Sequence, residues 1–286
     1  MTRLVVTADD LGLTEGVNRA VIQAYSGGVV TATSLLAVGP AFDHAVHLLR
    51  SHPRLDVGAH LAIVGEDPPL LSATEVATLV DRRGRFPRSY RKVCARAAAG
   101  RLDPDDVRRE MAAQLERIRD TGLTVTHVDT HQHTHLWPLV GRVVAGLARD
   151  ASVPWVRLPT SRARGPVGVV VRGLNARLAR ELDAAGLRQT AAYAGLDEAG
   201  RLDATRFARA VERVADASTA EINTHPGEAG DPALTRYTWN YRWKDELSML
   251  TDDHTRTLLR DKGIQLVSFS GLTALTDLPG LDGPAA

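Results

Sequence analysis

Cysteine is nearly missing from this chain: Cys94 is the one such residue in 286. That excludes an internal disulfide and any cysteine-ligated zinc site, so a bound metal would have to draw on His, Asp or Glu. Sparse cysteine also fits a reducing compartment. No stretch approaches the roughly eighteen consecutive apolar residues of a membrane-spanning helix. Met1-Thr2-Arg3 leads straight into an apolar, strand-like run where a signal segment would otherwise stand. These absences predict a cytoplasmic protein with no membrane span. Excess charge is absent as well, 35 Lys and Arg standing against 34 Asp and Glu, so no global field favours nucleic acid or an anionic surface. There is no P-loop, and no GxGxxG follows a strand. The expected partner is a small, nearly neutral molecule.

What is present is a strand and helix rhythm. Leu4 to Val6 begin an apolar, β-branched run that reads as a strand buried on both faces, and the run breaks at Asp9-Asp10-Leu11-Gly12. Apolar spacing predicts a helix over 14–25 and a second over 42–50, with strands over 29–38 and 55–59 between and after them. Residues 62–86 are rich in Pro, Gly and charge and read as part of an insertion spanning about 62–103, with helices over 89–99 and 104–120. Further strands are expected over 123–129, 153–158, 188–191, 220–224 and 264–269, with helices over 139–150, 169–185, 203–217 and 245–262. About eight strands with short connections and no repeat or linker argue for a single α/β barrel-like domain over residues 1–276. The Pro- and Gly-bearing tail 277–286 reads as flexible.

In such a sheet, ionisable residues at the carboxyl ends of strands converge on one face, where active sites are built. Four ends here carry them: Asp9 and Asp10, His60, Asp129 to His133, and His225. A lone acid pair would more readily cap the next helix or lie in a solvated turn. Two adjacent carboxylates at the end of a core strand are otherwise costly unless a cation or a shared proton compensates them. The histidines tip the balance: His127, His131, His133 and His135 belong to a run of four at alternate positions beside Asp129, in a chain holding ten. A continuing strand would aim all four at one face, whereas a turn near Thr130 would spread them. The pattern matches neither H-E-x-x-H nor a Cys-containing finger.

These residues resemble the amino-terminal signature of the YdjC-like carbohydrate deacetylases. The resemblance is carried by Ala8-Asp9-Asp10-Leu11-Gly12, Gly16-Val17-Asn18, Val30 to Leu35, Asp43-His44-Ala45 and Val57 to Leu61. It continues in Thr126 to His133 and Thr224-His225-Pro226-Gly227, in family order. It implies a distorted (β/α) barrel as in polysaccharide deacetylases, with Asp10, His60 and His131 holding one divalent metal and Asp9 as general base. Oxygen-plus-imidazole ligation suits zinc first, with manganese, cobalt, nickel or the less well matched magnesium as alternatives. His225 is the first candidate for the general acid, with a loop-ordering role equally open. Asp129 could orient a histidine by accepting its second N–H, and His133 is assigned the same supporting role.

The expected reaction is hydrolysis of an N-acetyl group on an amino sugar or glycoconjugate by metal-activated water. The same site would suit another amide or an O-acetyl ester, and a non-catalytic metal- or sugar-binding barrel is the reading from a different class. Trp137, Tyr237, Trp239, Tyr241 and Trp243 could offer flat faces to a sugar, with Arg157 and Arg242 as planar donors. Aromatics are 5% of the chain, so their clustering over 237–243 stands out. A core strand or a contact in a homodimer would explain it equally well.

Overall fold

The run that opens the chain is a strand buried along almost its whole length, β1 (Arg3–Leu11). The computed structural model describes residues 1–276, and the tail expected over 277–286 lies outside them. After β1 come β2 (Ala32–Leu35), β3 (Asp56–Leu61), β4 (Val125–Thr130), β5 (Trp155–Val156), β6 (Ala192–Ala194), β7 (Thr219–Thr224) and β8 (Gln265–Leu266). All pairings are parallel, in the order β5-β4-β3-β2-β1-β7-β6, with β8 added beside the start of β1. Parallel pairing demands long crossovers, and helices such as Glu15–Ser26, Phe42–Arg50, Pro138–Asp150 and Ala204–Val214 supply them. The sheet curls until its edges meet, Arg188 in the approach to β6 bridging to Trp155 of β5. The result is the expected distorted barrel with short, irregular strands on its late side.

Alternation along β1 separates two environments. Leu4, Val6 and Ala8 join the main apolar core under the helices, whereas Val5 packs with Ala32, Trp155, Phe269 and Leu272 in a second cluster inside the barrel. Phe269 and Leu272 come from the helix Phe269–Thr276, which plugs the barrel floor, and Asp56 Oδ2 caps it by accepting from the Ser270 N–H at 2.7 Å. The strand expected over 264–269 is therefore shorter, ending where the plug begins. The helix expected over 245–262 is two, Trp243–Thr251 and Asp253–Asp261, because Asp252 is extended and caps the second by accepting from the His254 N–H. The strand expected over 188–191 forms just beyond that span, at Ala192–Ala194. Residues 62–103 are no loose appendage: Ile63, Val76, Leu79, Phe86 and Val93 are buried in the main core.

Above the floor, polar residues fill the barrel interior. Thr7 donates to Glu221 at 2.9 Å, and Ser34 donates to Asp129 at 2.7 Å. His127 stacks on Phe269 with ring centroids 4.2 Å apart, its Nε2 lying 3.2 Å from Ser34 Oγ. Gly58 leaves the room for that ring, since a Cβ there would overlap the imidazole. Gly58→Ala should therefore cost about 1–3 kcal/mol by overpacking, read as a fall in thermal midpoint; unchanged stability would show that the ring can move aside.

Candidate metal centre and active site

In a regular strand Asp9 and Asp10 would point to opposite faces. The register between β1 and β2 runs Ala8↔Thr33 and then Leu11↔Leu35, so β1 carries one extra residue there. Asp10 takes up that bulge with φ of 63°, a left-handed conformation that is uncommon outside glycine and concentrates at functional sites. The bulge turns both carboxylates into the barrel mouth. Gly12, at φ 97°, continues the turn, and its N–H donates to Asn18 Oδ1 at 2.6 Å.

Asp10 meets two histidines. Its Oδ1 lies 3.3 Å from His60 Nε2 and 3.0 Å from His131 Nδ1, and these two nitrogens are 3.3 Å apart. Ligand atoms about 2.0–2.1 Å from a shared ion stand about 3.0–3.4 Å apart, so the triangle fits one small divalent cation. Asp10 Oδ1 is buried with no hydrogen-bond donor, which leaves its lone pairs for a cation. His60 is set for the role because its Nδ1–H donates to Asp129 Oδ1 at 2.5 Å, turning Nε2 toward Asp10. Against the opposing effect of burial, Asp129 and then Asp10 and Asp9 raise the His60 imidazole to about 10, a measure of the negative field at this point. The Arg157 guanidinium is set against Asp9, Asp129 and Glu221, while Asp10 faces His60 and His131. Burial pushes Glu221 up to about 7 in spite of Arg157, so the site gathers more buried carboxylate than one guanidinium balances, and a dication beside Asp10 would offset the remainder.

Asp9 is held apart from this triangle. Arg157 grips it with two parallel bonds of 2.7 Å, Nη1 to Oδ2 and Nη2 to Oδ1, while the same guanidinium reaches Asp129 at 2.7 Å and Glu221 at 2.8 Å. Arg157 is 1% exposed. Its expected role as a sugar donor is therefore corrected: it is enclosed among three carboxylates and anchors the site from beneath. Asp129, expected to orient a histidine, accepts from His60, Ser34 and Arg157 together. His225 Nε2 faces Asp9 Oδ2 at 3.9 Å, and its Nδ1 faces Glu246 Oε2 at the same distance. Burial lowers the His225 imidazole and raises Glu246 to about 8.

The histidine run does not share one face. β4 ends at Thr130, and Gln132 and His133 adopt φ of 52° and 51° in the tight helix His131–Leu136. His131 reaches Asp10, while His135 lies between Thr130 Oγ1 at 2.6 Å and the Arg157 carbonyl at 2.9 Å. His133 is likewise corrected, since it rests against Tyr193 and among the described residues makes no contact with the three metal-facing side chains. Trp137 stands at the N-cap position of the helix Pro138–Asp150, half-buried against the core, and among the described residues it has no ring contact with the aromatic cluster over 237–243.

That cluster is a strap, neither a core strand nor a regular element. Trp239 leans tilted on His131 at 5.0 Å and Tyr241 meets His225 edge-on at 4.8 Å, and Tyr237, Trp239, Tyr241 and Trp243 contact one another in sequence at 4.9–5.4 Å. Residues of the 62–103 segment latch it: Asp67 accepts from Arg236 at 2.7 Å and from the Tyr237 hydroxyl at 3.2 Å, and Glu66 accepts from Trp239 Nε1 at 3.2 Å. A cavity of about 10 Å³ lies among Tyr237, Trp239, His131 and the latch residues Glu66 and Asp67. Sequence reasoning missed Glu221, Asn223, Glu246 and the two latch acids. A signal for the first pair was present, since polar residues at alternate positions in a buried strand must face something polar.

Parallel α/β barrel, inward carboxylates and an Asp-His-His triangle at the strand ends define the class as a metal-site barrel of the deacetylase type. The model of the YdjC-like protein family matches residues 3–261, and the chain belongs to that family. A carbohydrate deacetylase of Brevibacillus brevis is 32% identical over 274 residues, covering 94% of this chain and 99% of the relative. One from Mus musculus is 32% identical over 297 residues, covering 94% of each. A solved structure from Enterococcus faecalis V583, described as that of a cellobiose-phosphate cleavage protein, superposes with a TM-score of 0.80 at 23% identity, covering 95% of this chain and 98% of that one. It shows the same fold. Among the described residues no helix is long and apolar enough to cross a membrane.

Proposed function

We propose that this chain is a metal-dependent carbohydrate N-deacetylase, a hydrolase that removes the acetyl group from an amino sugar or a glycoconjugate bearing one. The observation that carries the reading is the Asp10, His60 and His131 triangle beside an anchored carboxylate, Asp9, that has no share in it. The relatives named carbohydrate deacetylases support it. Asp10, His60 and His131 would hold a divalent ion, zinc first, and that ion would supply Lewis acidity toward the carbonyl and the attacking water. Asp9 accepts the proton of the attacking water, and the two parallel bonds from Arg157 hold that carboxylate aimed. His225, whose Nε2 faces Asp9 Oδ2 at 3.9 Å, relays the proton taken up by Asp9 to the leaving amine. The test is acetate release from N-acetylglucosamine, chitobiose and acetylated glycoconjugates, before and after stripping the metal and reloading zinc, manganese, cobalt, nickel or magnesium. Metal-dependent release is expected, and a fully loaded protein that leaves every member intact would overturn the reading.

Asp9, Asp10, His60, His131 and His225 are all buried, with Trp239 over His131 and Tyr241 over His225. For turnover the strap would lift, exchanging its ring contacts with His131 and His225 for a sugar face. Asp67→Ala removes two latch contacts. Amide hydrogen exchange over residues 232–242 should then quicken about tenfold, the equivalent of one hydrogen bond to a charged group, while β1 and β7 stay protected. Unchanged exchange in the strap would mean that Asp67 does not hold it shut.

A further inference from the structure

The anchoring of Asp9 does not end at Arg157. Asn223 in β7 donates from Nδ2 to Asp9 Oδ2 at 3.0 Å, and its Oδ1 accepts from the Tyr193 hydroxyl at 2.5 Å. The sheet order β1-β7-β6, with Asn223 in register with Thr7 and Tyr193 with Glu221, sets the three residues on a diagonal across neighbouring strands, each two residues on from the last. All three are buried, Tyr193 at 7% exposure being the most open. Gly195, next along β6 at φ 124°, completes the slot: a Cβ there would overlap the Asn223 carboxamide. The Asp9 carboxylate settles which way that carboxamide points: it can only accept, so the NH₂ faces it, and Oδ1 is left to accept from the Tyr193 hydroxyl. Beyond the hydroxyl, His133 Nε2 lies at 3.5 Å, and no metal-facing residue touches Tyr193.

Counting lone pairs shows the consequence. A carboxylate offers about four acceptor positions. On Asp9, Oδ2 spends two, on Arg157 Nη1 and Asn223 Nδ2, and Oδ1 spends one, on Arg157 Nη2. One lone pair on Oδ1 is left. Arg157 alone would let the carboxylate pivot about its two parallel bonds, and the third donor from Asn223 removes that freedom.

We propose that Tyr193 and Asn223 are positioning residues that act through Asp9, fixing which of its lone pairs stays free to receive the proton of the attacking water. Neither residue touches the substrate. The inference rests on the reading of Asp9 as the base. Tyr193→Phe keeps the ring in place and removes the donor, so the buried Asn223 Oδ1 loses its partner and the carboxamide is freed to tilt away from Asp9. The expected result is a fall in kcat of about tenfold, with KM and bound metal unchanged.

The experiment is a double-mutant cycle on the metal-loaded protein, following acetate release from the panel sugar turned over fastest. Tyr193→Phe, Asp9→Asn and the double variant are compared, with Asn223→Ala as a second route should Tyr193→Phe lower the thermal midpoint below the assay temperature. Residues acting as one unit are non-additive, so Tyr193→Phe should lower kcat in the native background and cost nothing further beside Asp9→Asn. A loss that multiplies in the double variant would overturn action through Asp9. Native kcat in both Tyr193→Phe and Asn223→Ala, with Asp9→Asn inactive, would overturn the positioning role and leave the base reading standing. Full activity in Asp9→Asn would remove the base reading itself, and the proposal with it.

Discussion

Asp9→Asn is expected to lower kcat by about 10²–10⁴-fold, the usual contribution of a positioned general base, while the bound metal content stays unchanged. An asparagine keeps the size and shape of the side chain but has no basic lone pair to replace the one left free on Oδ1. Its oxygen can still face Arg157 Nη1 and Asn223 Nδ2 at the Oδ2 position. Its NH₂ then stands against Arg157 Nη2, which retains Asp129 as a partner at 2.7 Å. A modest fall in thermal midpoint should accompany the loss of turnover. The metal readout is decisive because the donor atoms of Asp9, His60 and Asp129 also lie close enough to hold an ion. Metal lost from Asp9→Asn would transfer the ion to that second group and remove Asp9 from the role of base. Metal retained with native kcat would require a different proton acceptor.

The same residue shows how far the sequence could be read. The apolar run of β1 and the acids at its end are legible from composition alone, and so is the convergence of His60, Asp129 to His133, and His225 on one end of a parallel sheet. The bulge that turns Asp9 and Asp10 to the same side is not, because it depends on the register of β1 against β2, a pairing made with distant residues. The left-handed backbone at Gln132 and His133 is hidden for a similar reason, since neither residue type demands it locally. Arg157 was readable only as a planar donor. That its donors are consumed follows from three carboxylates contributed by β1, β4 and β7, which no local window contains. Asp252 was readable in principle, since an Asp-Asp pair inside a helical pattern is a cap signal. The aromatic spacing over 237–243 misled in the opposite direction: its alternation suggests a strand, yet Asn240 at φ 56° breaks the extension and the rings contact one another and two site histidines.

Arg157→Met is expected to be the most destabilising single change in the site, by about 3–5 kcal/mol, because it strands buried carboxylates without their partner. The guanidinium lies among Asp9, Asp129 and Glu221, all nearly inaccessible to water. A loss of that size is a large share of the stability of an ordinary domain, so the comparison is made by chemical denaturation at several pH values. Glu221 sets the sign. Its folded-state pKa is already raised to about 7 by burial, with Arg157 opposing that rise. Removing the opposition raises it further. A carboxyl whose folded pKa lies above its unfolded value binds more protons when folded, so its contribution to stability is complete below about pH 4.5 and is lost as pH climbs through the folded pKa. The deficit of Arg157→Met relative to the native chain should therefore be smallest near pH 5 and widen toward pH 8. Adding Glu221→Gln to Arg157→Met takes away one stranded charge and should recover part of the loss at pH 8, with little gain at pH 5. A deficit independent of pH, or one that narrows as pH rises, would show that Arg157 supports the barrel by packing its aliphatic stem and not by holding three carboxylates together. Arg157→Lys separates anchoring from charge: one ammonium keeps the positive charge among the acids but cannot make two parallel bonds to Asp9, so it should regain much of the stability of the native chain and little of its turnover.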